Sequence, residues 1–124
     1  MDRSRSGFAR LGLAILVFVA SVVEICCLHE RQVLLTFLLI ATAVFMLWVS
    51  EDRWNAAIVG AIGAVLGGLG EISAVHFGVW QYPAPFVFGI PIWVPFAWGL
   101  ITMVIIGASG AVGKLLKRAG RDVD

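Results

Sequence analysis

The chain has 124 residues, 60% of them hydrophobic and 14% charged, with a mean hydropathy of +0.98. Those values exclude a water-soluble domain. A net charge of +1 says nothing about partners, but no basic face large enough for nucleic acid is present, so none is expected as a partner. Apolar runs close to the ~20 residues needed for a bilayer crossing recur along the chain, and they are continuous rather than alternating. In lipid only helices and closed barrels satisfy the backbone, so the expectation is an all-α, multi-pass membrane protein forming one domain.

Arg3, Arg5 and Arg10 precede a run from Leu11 to about Leu28. The run is longer than the apolar part of a signal peptide, and no Ala-x-Ala site follows it, so it reads as a first spanning helix, 11–28. Cys26 and Cys27 lie inside it, adjacent and without metal spacing, as expected of packing residues at lipid depth. His29 to Gln32 form a break before a second helix, 33–50. Glu51 to Trp54 make the next turn and place an indole at the interface. A third helix is expected over 55–78, an outer loop over 79–94, and a fourth helix over 95–113, followed by the basic tail KLLKRAGRDVD.

Lys and Arg are distributed unevenly between the flanks. Eight lie on one side (Arg3, Arg5, Arg10, Arg53, Lys114, Lys117, Arg118, Arg121) and only Arg31 on the other. The positive-inside rule therefore predicts cytoplasmic termini, an external 79–94 loop and residence in the cell membrane. The third helix carries Gly60, Gly63, Ala64 and Gly67 on one stripe, with Glu71 continuing it four residues on. Small residues at this spacing let helices approach closely, and they predict association through this helix in a homo-oligomer or hetero-complex. Gly107 and Ala111 offer a similar face on the fourth helix, and Ala20, Glu24 and Cys27 share one on the first.

The stretch from Gly70 to Gly99 holds all four prolines (Pro83, Pro85, Pro91, Pro95), three of the five tryptophans, and a single charge, Glu71. A carboxyl group at membrane depth costs ~2.5–3.5 kcal/mol on insertion scales, so Glu24 and Glu71 are functional candidates. The topology gathers both, with His29, His76 and the aromatic loop, toward one side. Competing structural roles exist for each. Glu71 could be interhelical glue, Glu24 could reach to the interface, His76 could fill the interface, and Trp80, Tyr82, Trp93 and Trp98 could form an aromatic belt. No HExxH or Cys-pair spacing supports a metal site, and no cofactor is expected.

The segments F-G-x-W-x-Y at Phe77–Tyr82 and F-G-I-P-x-x-V-P-F-A-W at Phe88–Trp98, with Glu71 upstream, resemble the carotenoid biosynthesis membrane proteins. The likeness covers about residues 70–99 and is nearer to the carotenoid hydratase branch than to the membrane lycopene cyclases. The cyclases carry an acidic pair near the Gly-x-Pro segment, where Ile92 and Trp93 stand here, so the resemblance implies hydration rather than cyclisation. Family members are longer, and this chain would supply part of their helices.

The implied activity is acid-catalysed hydration of a double bond at the end of an isoprenoid or carotenoid-like chain. Such a reaction needs an acid to form a tertiary carbocation, and Glu71 is placed for it. Electron-rich rings at Trp80, Tyr82, Trp93 and Trp98 would stabilise the cation, and Glu24 or His76 would orient water. Two alternatives remain open: a non-enzymatic membrane subunit, and a small proton-coupled carrier using Glu24 and Glu71 as relay groups.

Overall fold

The computed structural model describes residues 3–120, with side chains from Gly7 onward. Of the expected flanking cations, the Arg3 and Arg5 side chains and all of Arg121 lie outside the described residues. Four helices follow one another: α1 (Arg3–Leu28), α2 (Gln32–Val49), α3 (Arg53–His76) and α4 (Val94–Ala119). All four are long and apolar enough to span a membrane, so the protein is an all-α, four-span membrane protein. Most of their large apolar side chains, among them Ile15, Phe37 and Val65, face outward. That is the arrangement expected where the surrounding solvent is hydrocarbon.

Local chemistry explains the ends. The Asp52 side chain caps α3 by accepting from Asn55 N at 2.9 Å. At the other end of α3, Val79 N donates to Ala74 O at 2.9 Å and Gly78 N to Val75 O at 3.1 Å. Gly78 has φ +71, which completes a Schellman motif and ends α3 two residues before the expected 78. Pro95 sits in the first turn of α4, where its missing N–H is harmless. The end of α4 differs from expectation: the helix runs past 113 through the basic tail to Ala119. Lys, Leu, Arg and Ala are strong helix formers, and Lys117 and Arg118 in the last turn complement the helix dipole.

The last helix in the chain is the central one. α4 packs on α3, α1 and α2, while α1 and α3 do not pack on each other. Leu100 and Val104 of α4 meet Ala14 and Val17 of α1 and Leu35 and Leu39 of α2 in the buried core. On the opposite face of α4 the glycine stripe of α3 is used. A Cβ at Gly60 would collide with Met103, one at Gly63 with Thr102 and one at Gly67 with Trp98. A Cβ at Gly99 would in turn lie 3.0 Å from Gly60 O. The stripe does bring helices together, but its partner is α4 of the same chain. The expected association with a second chain through this stripe therefore finds it already occupied.

The two ends of the bundle are fastened differently. At one end Glu51 pairs with Arg10 at 3.0 Å and Lys114 at 2.6 Å, tying α1, the α2–α3 turn and α4 together. The Lys114 hydrogen bond and the charges of Arg10 and Lys114 hold the Glu51 carboxyl below its ordinary range, against a smaller opposing effect of burial. At the other end Gln32 donates to Ala84 O at 2.7 Å and accepts from Ile92 N at 3.3 Å, pinning onto α2 the loop between α3 and α4, which spans 77–93 rather than the expected 79–94.

Candidate functional site

Glu71 lies one turn beyond Gly67 on α3, so its side chain follows the glycine stripe toward α4. The close approach allowed by Gly67 lets Trp98 lie across α3 and reach that carboxyl group: Trp98 Nε1 donates to Glu71 Oε1 at 3.2 Å. The loop leaving α3 returns two more donors. Trp80 Nε1 donates to Oε2 at 3.1 Å and the Tyr82 hydroxyl donates to the same oxygen at 2.8 Å. One carboxyl group therefore holds α3, α4 and the outer loop together.

The donor types limit what this group can do. An indole N–H only donates, so both Glu71 oxygens must act as acceptors. Of the three partners, only the Tyr82 oxygen can also accept a proton. Burial first, and then the hydrogen bond and charge of Glu71, push the Tyr82 phenol up to about 12, against a smaller lowering by Trp80. The phenol is thus a neutral donor throughout the ordinary pH range.

Beside this network is a cavity of about 150 Å³ between α1, α4 and the end of α3. Its wall is mostly apolar, and Glu71, Tyr82 and Trp98 border it together with Trp93. The Trp93 ring meets the Tyr82 ring edge-on, with centroids 6.4 Å apart at 89°. The cavity is partly open, and two of its lining residues, Phe18 and Val22 of α1, are exposed on the surface of the bundle. A recess of about this volume with a mostly apolar wall is large enough for a benzene-sized group.

The structure therefore gathers five of the seven singled-out residues: Glu71, Trp80, Tyr82, Trp93 and Trp98. Glu24 is not among them. It lies on α1, half-buried, with Oε2 buried and unpartnered, and does not border the cavity. His76 is exposed and packs edge-on against Phe77 at 5.3 Å, away from the carboxyl network. His29 bonds only its own helix end, at Cys26 O. Cys26 and Cys27 are free and face outward rather than into the core. Among the described residues no group of three or more His, Cys, Asp or Glu is placed to hold a metal.

Three contributors were not legible in the sequence. Gln32, in what reads as a simple polar break, fastens the loop that carries Trp80 and Tyr82. Ser21 and Ala97 shape the cavity wall, and their apolar helical context marks neither one. Set against known proteins, the chain matches no family model, no curated protein and no solved structure.

Proposed function

We propose that this protein takes the end of an isoprenoid-like apolar chain from the lipid phase into the cavity and hydrates its terminal double bond. The observation that supports this reading is the position of Glu71, whose carboxyl group is held by three donors and also borders a mostly apolar, partly open cavity whose wall includes the exposed Phe18 and Val22 of a membrane span. The reaction requires the Glu71 carboxylate to take up a proton first; that proton then passes from the carboxyl group to the less substituted carbon of a trisubstituted alkene. The π bond is lost and a C–H bond forms, leaving a tertiary cation flanked by the rings of Trp93, Trp98 and Tyr82. Water adds to the cation, and its released proton returns to the carboxylate. The product is heavier by one water. The Tyr82 oxygen is the group through which that proton can be shared. On the distribution of Lys and Arg, this site lies at the external face of the cell membrane.

A second reading has its own support. Both Glu71 oxygens are engaged by donors that fasten the loop and α4 to α3, which suits binding of the chain end without reaction, as in a membrane subunit. No comparable observation favours a proton-coupled carrier, because Glu24 and Glu71 stand on helices that do not pack together.

One experiment separates these readings. The full chain in lipid nanodiscs is incubated with a linear carotenoid or a polyprenol, and bound and released lipids are weighed by mass spectrometry. Hydration gives a product one water heavier with the wild type and none with Glu71→Gln. A retained but unchanged chain supports the binding reading. Neither product nor retained chain overturns both.

A further inference from the structure

The segment between α3 and α4 would be costly to place in water. From Ile72 to Gly113 the chain contains no Asp, Glu, Lys or Arg. Its hairpin, residues 86–90, closes on itself: Ile90 O accepts from Phe86 N at 3.0 Å and Val87 N at 3.1 Å, and Ile90 N donates to Val87 O at 3.0 Å. The two turn residues both have positive φ, 50 at Phe88 and 81 at Gly89. That turn suits Asn-Gly; a phenylalanine in the first position strains the backbone. The strained residue is also among the most exposed, Phe88 at 76%, with Phe86 at 69%.

The hairpin is held rather than loose. Gln32 pins its approach to α2, and Gly89 packs so closely on Val75 of α3 that a Cβ there would lie 2.6 Å from Val75 Cγ1. Between Phe86 and α2 runs an open, mostly apolar groove floored by Val33, Leu34 and Phe37, closed by Ile92 and rimmed at its polar end by Glu30, Arg31 and Gln32. Val33, Leu34 and Phe37 belong to the outward face of a membrane span and are themselves exposed. The aromatic surface of the hairpin is thus continuous with a surface that faces lipid.

We infer that the 86–90 hairpin is a membrane-interface anchor: it lies down in the headgroup layer with Phe86 and Phe88 among the upper acyl chains, and lipid fills the groove between Phe86 and α2. A hairpin that pairs part of its backbone internally, with its turn left to the headgroup water, suits the interfacial layer, and rings at this depth are favoured. Seated this way, the hairpin holds the Trp80–Tyr82 segment at the level of the interface, and it does so whether or not the cavity carries out chemistry.

The test uses single cysteines in a chain with Cys26→Ala and Cys27→Ala, reconstituted at one copy per phospholipid nanodisc. Phe88→Cys and Phe86→Cys are compared with His29→Cys, exposed in the α1–α2 turn and outside the groove, for reaction with a membrane-impermeant maleimide. A thiol among acyl chains is shielded and less ionised, so both hairpin positions should react at least about ten-fold more slowly than His29→Cys. Either position reacting as fast as the turn overturns the anchor. Protection that appears only when several copies share a disc would assign the surface to a second chain and also overturn it. Phenol titration of the single tyrosine, Tyr82, verifies that each variant keeps the Glu71 network.

Discussion

Adding one methyl group at Gly67 should take the site apart without touching any of its polar atoms. A Cβ built there lies 2.5 Å from Trp98 Cβ and closer still to its ring. Restoring an ordinary carbon–carbon separation of about 3.5–4.0 Å moves one of the two by roughly 1 Å or more. The Trp98–Glu71 hydrogen bond starts at 3.2 Å, and such bonds are gone by about 3.6 Å, so the displacement exceeds its slack. Overpacking of this kind destabilises by about 1–3 kcal/mol, and the indole left without its acceptor adds about 1 kcal/mol. The gain from replacing a helical glycine with alanine, about 1 kcal/mol, offsets part of this. Gly70 supplies the matched control: it stands on the same helix, and a Cβ there meets nothing within 4 Å. Gly70→Ala should leave the protein as stable as before or slightly more so, whereas Gly67→Ala should lower its stability by about 1–3 kcal/mol. Thermal unfolding of both variants in identical nanodiscs measures the difference, and the indole N–H resonance of Trp98 reports the broken bond. If the two variants unfold together and that resonance stays where it was, the account of Glu71 as a hub reached through the glycine stripe is wrong.

Other consequences follow from the same contacts. The chain has one tyrosine, so phenolate absorbance reports Tyr82 alone, and its titration midpoint should lie near 12 rather than 10. Because the folded state holds that proton more tightly, stability is unaffected below pH 10 and declines as pH rises from 10 toward 12; Tyr82→Phe should abolish the decline. Glu51 behaves oppositely. Its lowered folded value means that its contribution is present above about 4.5 and is lost as pH falls through the folded value, and Glu51→Gln should remove that acid sensitivity. Since these ion pairs are exposed, the stability change at neutral pH should stay within about 0.2–1 kcal/mol and shrink in high salt. Gly78→Ala forces a side chain into the left-handed region at φ +71 and should cost about 1–2 kcal/mol, measured by unfolding in nanodiscs, with loosening of the loop that carries Trp80 and Tyr82.

The order and number of the spans could be read directly, because hydropathy over a length of ~20 residues is a local property of the chain. The same holds for the glycine stripe and for the direction of Glu71, since residues three and four apart share a helix face whatever the neighbours are. Gly60, Gly63 and Gly67 do meet another helix, and Glu71 does face the bundle rather than lipid. The identity of that other helix could not be read in the same way. A small-residue face states that something packs closely, and it does not name α4 over a second chain. Periodicity groups Glu24 with Ala20 and Cys27 on one face of the first helix, yet that helix, α1, does not pack on α3. Two carboxyls at similar depth therefore ended in different surroundings. His76 was grouped with the site by depth alone, and the turn at Gly78 leaves it exposed beside Phe77.

By itself, then, the amino-acid sequence determined a four-span helical membrane protein, a close-packing face on its third helix and an acidic group continuing that face. These are set by composition and helical period, which act over a few residues. Only the tertiary structure decided that α4 is the central helix, that Trp80, Tyr82 and Trp98 converge on one carboxyl, and that an apolar cavity opens beside it. Those outcomes depend on how helices far apart in the chain cross and on where a prolyl loop folds back, and steric fit between distant side chains settles both.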